Sequence, residues 1–322
     1  MPKTVRIQPS GRTFISEGRS TLLEAGLQAG LALDYGCSNG NCGKCLARIV
    51  SGEVKKVHHH DFAISEQQRL NHYVLMCSHL PVTDVTLEAT EADDNFQIPL
   101  QNITARVRTL EIVNSSVALL HLKTPRTQRL RFLAGQKVNL GGNGIPPAEY
   151  AIGSCPCDDM NLHFQIPRTG RAFSDYVFND LKRGDHIEIN GPTGDFLLNE
   201  RSNKPLVFIA RHTGFAGIRS LIEHAMALEL VQDMHLVWIT DNPRDRYQHN
   251  LCRSWNDAFD NFNYVPLDSR AVDVALVFGS LGISRSEFGA YEIYVAADEG
   301  LIGAIRNFSP GVEVHVQVCD VL

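Results

Sequence analysis

No apolar run in this 322-residue chain approaches the length of a membrane span, which argues against a helical anchor in a bilayer. Basic charge is not in excess either. Thirty Lys and Arg stand against 36 Asp and Glu, a formal net charge of -6, which gives no support for nucleic-acid binding. The opening residues, Met1-Pro2-Lys3-Thr4-Val5-Arg6-Ile7-Gln8-Pro9, lack the apolar core of a signal peptide. A reducing, cytoplasmic setting is therefore expected, and a disulfide framework is not. Internal repeats and low-complexity segments are missing too. What remains is ordinary globular composition in a chain long enough for two or three domains.

The most informative residues are four of the eight cysteines. Cys37, Cys42 and Cys45 share the loop Cys37-Ser38-Asn39-Gly40-Asn41-Cys42-Gly43-Lys44-Cys45, and Cys77 follows at the end of Tyr73-Val74-Leu75-Met76-Cys77. This is the C-x₄-C-x₂-C…C spacing of a plant-type [2Fe–2S] cluster. Such a cluster needs four thiolates aimed at one small object. A short loop supplies three only by bending sharply, and Gly36, Gly40 and Gly43 permit those bends. A zinc site built from paired C-x-x-C knuckles fits the spacing poorly. His58-His59-His60 reads as a solvated loop, because three adjacent residues cannot all face one ion. Cys155, Cys157 and Cys252 read as small buried hydrophobes, and Trp238 as core.

Residues 3–8 alternate as a strand, with a hairpin partner at 12–16. Thr21-Leu22-Leu23-Glu24 is a capping box for a helix over 21–30. Strands at 44–50 and 82–89 complete a mixed sheet around one helix, a β-grasp over residues 1–92. The polar stretch 90–95 reads as a linker. Strand signals then repeat at 104–113, 117–123, 137–140, 162–166 and 186–189, an antiparallel β-barrel over 101–200. From residue 203 strands alternate with helices, a parallel α/β sheet to residue 322. The expected fold class is thus multidomain: β-grasp, antiparallel barrel, and parallel α/β.

Several segments carry a family resemblance: Phe132-Leu133-Ala134-Gly135-Gln136, Phe173-Ser174-Asp175-Tyr176, Gly191-Pro192-Thr193-Gly194-Asp195-Phe196 and Thr213-Gly214-Phe215-Ala216. With the order of the three modules, they make the chain similar, over essentially its full length, to the ferredoxin–NADP⁺-reductase superfamily with a fused N-terminal ferredoxin. It resembles CDP-6-deoxy-glucoseen reductases and the reductase components of oxygenases. The resemblance implies a flavin (FAD) in the barrel and NADH or NADPH on the α/β domain. Electrons would pass from NAD(P)H through flavin to the cluster, and on to a protein acceptor such as an oxygenase or dehydratase component. The cofactors carry the chemistry, so no catalytic acid or base is required. The cofactor-binding positions implied are Tyr150, Ala151, Gly170, Arg171, Ser174, Thr213 and Gly214.

The chain departs from the family pattern at three places. Where the family has Arg-x-Tyr-Ser, this sequence reads Ala148-Glu149-Tyr150-Ala151. The flavin phosphate thereby loses one charge-assisted contact, worth about 1.5–3 kcal/mol. Arg171, just before the Ser174 helix, is the candidate replacement. Where the family has Gly-Gly-Thr-Gly, the chain has Arg211-His212-Thr213-Gly214, and a Cys-Gly-Pro-Pro type segment is replaced by Ala296-Ala297-Asp298-Glu299. The NADPH-reading arginines lack a counterpart, with Arg244 and Arg246 the nearest candidates. Two alternatives stand beside this reading: an electron carrier or accessory subunit with an intact cluster but a non-productive nucleotide site, and a flavin-linked ferric or small-molecule reductase with no dedicated protein partner.

Overall fold

The computed structural model describes residues 2–319 apart from Arg19, Cys37, Asn39, 92–97, Pro99, Thr127 and 269–272. Three sheets follow one another along the chain. The first holds β1 (Lys3–Gln8), β2 (Thr13–Ser16), β3 (Leu46–Ser51), β5 (Tyr73–Leu75) and β7 (Val85–Glu88) in the order β2-β1-β7-β3-β5. A two-stranded ribbon, β4 (Val54–Lys56) with β6 (His79–Pro81), lies beside it. β1 runs parallel to β7 and antiparallel to β2, so the sheet is mixed as expected. Helix α1 (Leu22–Gln28) begins at Thr21, whose hydroxyl accepts from the Glu24 N–H while the Glu24 carboxylate accepts from the Thr21 N–H. Its residues Leu22, Leu23, Ala25 and Leu27 are buried in the same core as Val5, Ile7, Leu75 and Leu87. Helix α2 (Glu66–Leu70) also has a capping box, Ser65 with Gln68. The sequence reading passed over it because five residues carry too little periodicity.

The second sheet contains β8 (Gln101–Ile112), β9 (Val117–Lys123), β10 (Lys137–Gly142), β11 (Ile145–Ala151), β12 (Asn161–Pro167) and β13 (His186–Thr193). Its order is β11-β10-β13-β8-β9-β12, and every pairing is antiparallel. Helix α3 (Ala172–Asn179) packs against both end strands, β11 and β12, burying Phe173 and Val177 in the sheet's core. The linker expected at 90–95 lies mostly outside the described residues.

The third sheet is parallel throughout, in the order β16-β15-β14-β17-β18. Its elements are β14 (Leu206–Arg211), α4 (Phe215–Ala227), β15 (Met234–Thr240), α5 (His249–Ala258), β16 (Phe262–Asp268), α6 (Val274–Gly279), β17 (Glu292–Ala297), α7 (Glu299–Phe308) and β18 (Val314–Val318). β14 is apolar and buried from Leu206 to Ala210, as a strand covered on both faces must be. Two cores flank it. Phe208, Phe215, Leu236 and Trp238 fill one, and Val207, Val237, Val277 and Ile305 the other. Trp238 is fully buried, stacked on Phe215 at 4.1 Å, and its N–H donates to the His212 carbonyl. The chain reverses its winding between β14 and β17, so the carboxyl ends of these two strands form a switch point, the place where open α/β sheets bind ligands. Among the described residues, no helix is long and apolar enough to cross a membrane.

Polar contacts join the three sheets. The Tyr35 hydroxyl, next to the cysteine loop, donates to the Asp159 carboxylate. Arg129 pairs with the other oxygen of Asp159 at 3.1 Å, and Arg131 pairs with Asp34. Arg12 pairs with Glu200. Gln317 on β18 donates to the Gly135 carbonyl at 2.8 Å, and Ser220 on α4 donates to the Ser154 carbonyl at 2.8 Å.

Candidate redox site

Cys45 precedes β3, and Cys77 sits in the short turn after β5. Pairing of β3 with β5 places Leu46 opposite Leu75. That register brings two cysteines separated by 32 residues to a sulfur–sulfur distance of 3.2 Å, both buried. The Met76 N–H donates to the Cys45 carbonyl at 2.9 Å and fixes the approach. Cys42 is exposed, and its sulfur lies 3.0 Å from where a Cβ on Gly36 would stand. Cys37 lies outside the described residues.

Two glycines hold the loop in place. Gly40 has φ +85° and packs so tightly on His60 that a Cβ would meet the histidine Cβ at 2.4 Å. Gly43 has φ +77°, with the Phe62 ring 2.2 Å from the position of a Cβ. A larger residue is thus excluded twice, by backbone angle and by space. His58 and His59 are exposed as expected for a solvated loop, but His60 is half-buried against this turn. The hydrogen bond from Cys45 pulls Cys77 down to about 6, with Ser78 and the Gly40 backbone adding to it against the opposing effect of burial. The same contact, with burial, pushes the Cys45 thiol up. The two buried sulfurs meet at 3.2 Å, with Cys42 at the near edge of the same loop. The residues present fit a [2Fe–2S] cluster.

A cavity of about 360 Å³ opens between the second and third sheets. Its walls bring together four of the expected cofactor positions, Tyr150, Ala151, Arg171 and Thr213, with Lys137 and Cys319. Lys137 and Cys319 were missed, because nothing local in the sequence marks them. Tyr150 packs against Phe173 with ring centroids 5.6 Å apart. Arg171, which lines the cavity, is the N-cap of α3 and offers the helix no side-chain cap, so a helix start and a guanidinium lie at the same wall, a setting suited to a phosphate. These residues fit a flavin. Ser174, Gly170 and Gly214 serve the scaffold. The Ser174 hydroxyl is fully buried, donates to the Pro167 carbonyl at 2.8 Å and accepts from the Thr169 N–H at 3.0 Å. Gly170 has φ +71° in the turn before α3. A Cβ on Gly214 would strike the Ala296 carbonyl at 2.2 Å, so this glycine lets the turn after β14 pass close to β17.

At the switch point the unusual residues face one another. Arg211 Nη1 donates to Asp298 Oδ2 at 2.7 Å, and Asp241 Oδ1 lies 4.0 Å from Arg211 Nη2. Asp298 also accepts from the Leu301 N–H as the N-cap of α7. Burial alone would raise the Asp298 carboxyl, but the Leu301 N–H and Arg211 hold it below the usual carboxylate range. His212 takes the left-handed conformation at φ +48°. Its ring is buried and held neutral by that burial, against the pull of Asp241. Neither ring nitrogen has a hydrogen-bond partner among the described residues, although Nε2 lies 3.4 Å from Asp241 Oδ1. Buried orphaned polar atoms at a switch point are what a polar ligand would satisfy.

Cys155 and Cys157 are drawn together by the turn, so that their sulfurs lie side by side, and the Cys157 N–H donates to Cys155 Sγ at 3.2 Å. Cys252 is buried as expected.

Comparison with known proteins agrees with this geometry. The family described as 2Fe-2S iron-sulfur cluster binding domain matches residues 5–82. The phenol 2-monooxygenase reductase component DmpP of Pseudomonas sp. (strain CF600) is 30% identical over 283 residues, covering 85% of this chain and 78% of that protein. The CDP-6-deoxy-L-threo-D-glycero-4-hexulose-3-dehydrase reductase of Yersinia pseudotuberculosis is 28% identical over 315 residues, covering 95% and 94%. Among solved structures, the Amycolatopsis cytochrome P450 reductase GcoB shares the fold with a TM-score of 0.61, at 24% identity and 98% coverage of both chains.

Proposed function

The chain belongs to the family of iron–sulfur reductase components, and from that premise we propose that it passes electrons from NADH or NADPH through FAD to a [2Fe–2S] cluster and on to a partner oxygenase or dehydratase component in the cytoplasm. The observation that carries this reading is the 3.2 Å convergence of Cys45 and Cys77 beside Cys42. When bound, a flavin takes up a hydride and a [2Fe–2S] cluster accepts single electrons, so the pair converts two-electron into one-electron transfer.

The residues of this chain bind, orient and exclude water. Cys37, Cys42, Cys45 and Cys77 would hold the cluster. Phe62 and His60 pack on the glycines of the loop that would surround it. Tyr150 would lie against the flavin ring, and Arg171 with the start of α3 would meet its phosphate. Thr213 borders both the flavin cavity and the switch point, where Arg211 and His212 would meet the nucleotide. The Tyr35–Asp159 contact ties the cysteine loop to the sheet that lines the flavin cavity, which keeps the transfer distance fixed.

Stopped-flow mixing of the anaerobic holoprotein with NADH, then NADPH, tests the route. Flavin bleaching followed by cluster reduction is the expected sequence. Reduction by dithionite but by neither nucleotide would overturn it. That second outcome would favour an electron carrier, a reading supported by the Arg211–Asp298 ion pair across the switch point.

A further inference from the structure

A cleft of about 440 Å³ lies on the outer face of the second sheet, lined by residues distinct from those of the cysteine loop and of the flavin cavity. Its walls carry Arg106, Arg108, Lys123, Arg126, Arg183 and His186, and no acidic residue lines it. The sheet register explains the crowding. Arg106 on β8 stands directly opposite Lys123 on β9 and His186 on β13. Arg106 and Arg108 alternate outward with the strand's period of two, and both are exposed. Among the described residues, none of the five Arg and Lys side chains is ion-paired with a carboxylate. The nearby Asp185 carboxylate is engaged by the Lys182 N–H at 2.8 Å.

Like charges directly opposite each other on neighbouring strands destabilise a sheet. Arg106 beside Lys123 is such a pair, and among the described residues neither is ion-paired with a carboxylate. The concentration of positive charge also runs against the net charge of -6. Four of the five cations are arginines, whose planar forks match carboxylates two bonds at a time. The missing counter-charge is therefore an external anion.

We propose that this cleft docks an acidic protein surface, that of the electron-accepting partner, close to the iron–sulfur loop. The proposal rests on the electron-transfer reading above for the partner's role, and on the cleft alone for its chemistry. Its location supports a protein partner over a free anion. Thr124, in the cleft wall, donates its hydroxyl to the Asp159 carbonyl at 3.1 Å. The Asp159 carboxylate in turn accepts from Tyr35, which adjoins Gly36 at the start of the cysteine loop. One end of the cleft and the base of the loop thus share a single buried junction. A partner held by its carboxylates in the cleft would present its own redox centre on the loop side.

The test uses the full-length holoprotein and fluorescein-labelled poly-L-glutamate, read by fluorescence anisotropy. Binding is expected, weakening steeply with salt. The Arg106→Glu/Arg183→Glu double variant is expected to bind about tenfold more weakly or worse, and Arg106→Lys/Arg183→Lys to keep most of the affinity. Unchanged cluster and flavin spectra verify that the variants are folded. Equal binding by wild type and the charge-reversed protein would overturn the proposal. Inorganic triphosphate binding more tightly than the polypeptide would also overturn it, in favour of a small phosphorylated ligand. If NAD(P)H failed to reduce the protein while poly-L-glutamate binding still followed these charges, the electron-source reading would fall and the cleft would stand.

Discussion

At the cysteine loop, Cys42, Cys45 and Cys77 are spaced as the family pattern requires, and Gly40 and Gly43 are packed too tightly for any other residue. At the switch point of the parallel sheet, several residues at the pattern's key positions have changed, and two of the replacements, Arg211 and Asp298, are bonded to each other across 87 residues of sequence. At the first site two like groups, Cys45 and Cys77, converge to 3.2 Å. The second has acquired internal partners that a nucleotide would have to compete with or displace. An altered motif therefore does not have to mean a decayed site. Replacements that find one another in space have kept a charged, ordered pocket.

The largest effect that separates the two sites comes from Cys77→Ala. It is expected to abolish the cluster's visible absorbance and the EPR signal of the dithionite-reduced protein, while flavin absorbance stays. A full EPR signal in this variant would show that Cys77 is not a ligand.

Next in size is the anchor beneath the loop. Burial pushes the Asp159 carboxyl from 3.8 up to about 6, partly offset by Arg129 and Tyr35. A carboxyl raised in the fold binds its proton more tightly there than in the unfolded chain. The stability this contributes is present below about pH 4 and is lost as pH rises through about 6. Roughly 3 kcal/mol is at stake across that window, at 1.36 kcal/mol per unit. Urea unfolding of wild type and Asp159→Asn between about pH 4.5 and pH 7 is expected to show the wild type losing ground to the variant as pH rises. Parallel pH profiles would place the titration elsewhere.

Arg171→Ala probes the cavity between the second and third sheets. Loss of a charge-assisted phosphate contact of about 1.5–3 kcal/mol predicts flavin binding roughly tenfold to a hundredfold weaker. Fluorescence titration of the deflavinated variant with FAD measures it. Unchanged affinity would return Arg171 to the role of a surface residue at the α3 turn.

The three-layer order of the fold and the cluster loop were legible because their signals are local. Strand alternation, the Thr21–Glu24 capping box and the cysteine spacing each fit within a dozen residues. Short or irregular elements were not: α2 spans five residues, and α6 lies in a stretch where no periodic pattern was read. The flavin cavity was half legible. Tyr150 and Arg171 stood out against a family pattern, whereas Lys137 and Cys319 reach the same cavity only through the packing of β18 beside the second sheet. Ser174 and Gly214 carried the right pattern for a different reason, since one hydroxyl ties down a turn and the other residue gives way to a carbonyl. The Arg211–Asp298 bond and the Tyr35–Asp159 junction connect segments 87 and 124 residues apart. No spacing rule reaches that far.

The smallest predicted effect bears most directly on the contrast between the two sites. Asp298→Asn keeps an oxygen able to accept the Leu301 N–H, so the cap of α7 survives. It removes only the negative charge and loosens the hold on Arg211. If Arg211 is exchanged from Asp298 to the phosphates of an incoming dinucleotide, the variant should bind NADH or NADPH more tightly by about 1 kcal/mol, roughly fivefold, because less is given up on binding. Quenching of intrinsic tryptophan fluorescence offers the readout, since Trp238 is bonded to the His212 carbonyl at the same turn. The paired variant Arg211→Ala should weaken binding. If Asp298→Asn instead weakened it, Asp298 would be holding Arg211 in its working position, and the ion pair would be part of the nucleotide site rather than its competitor.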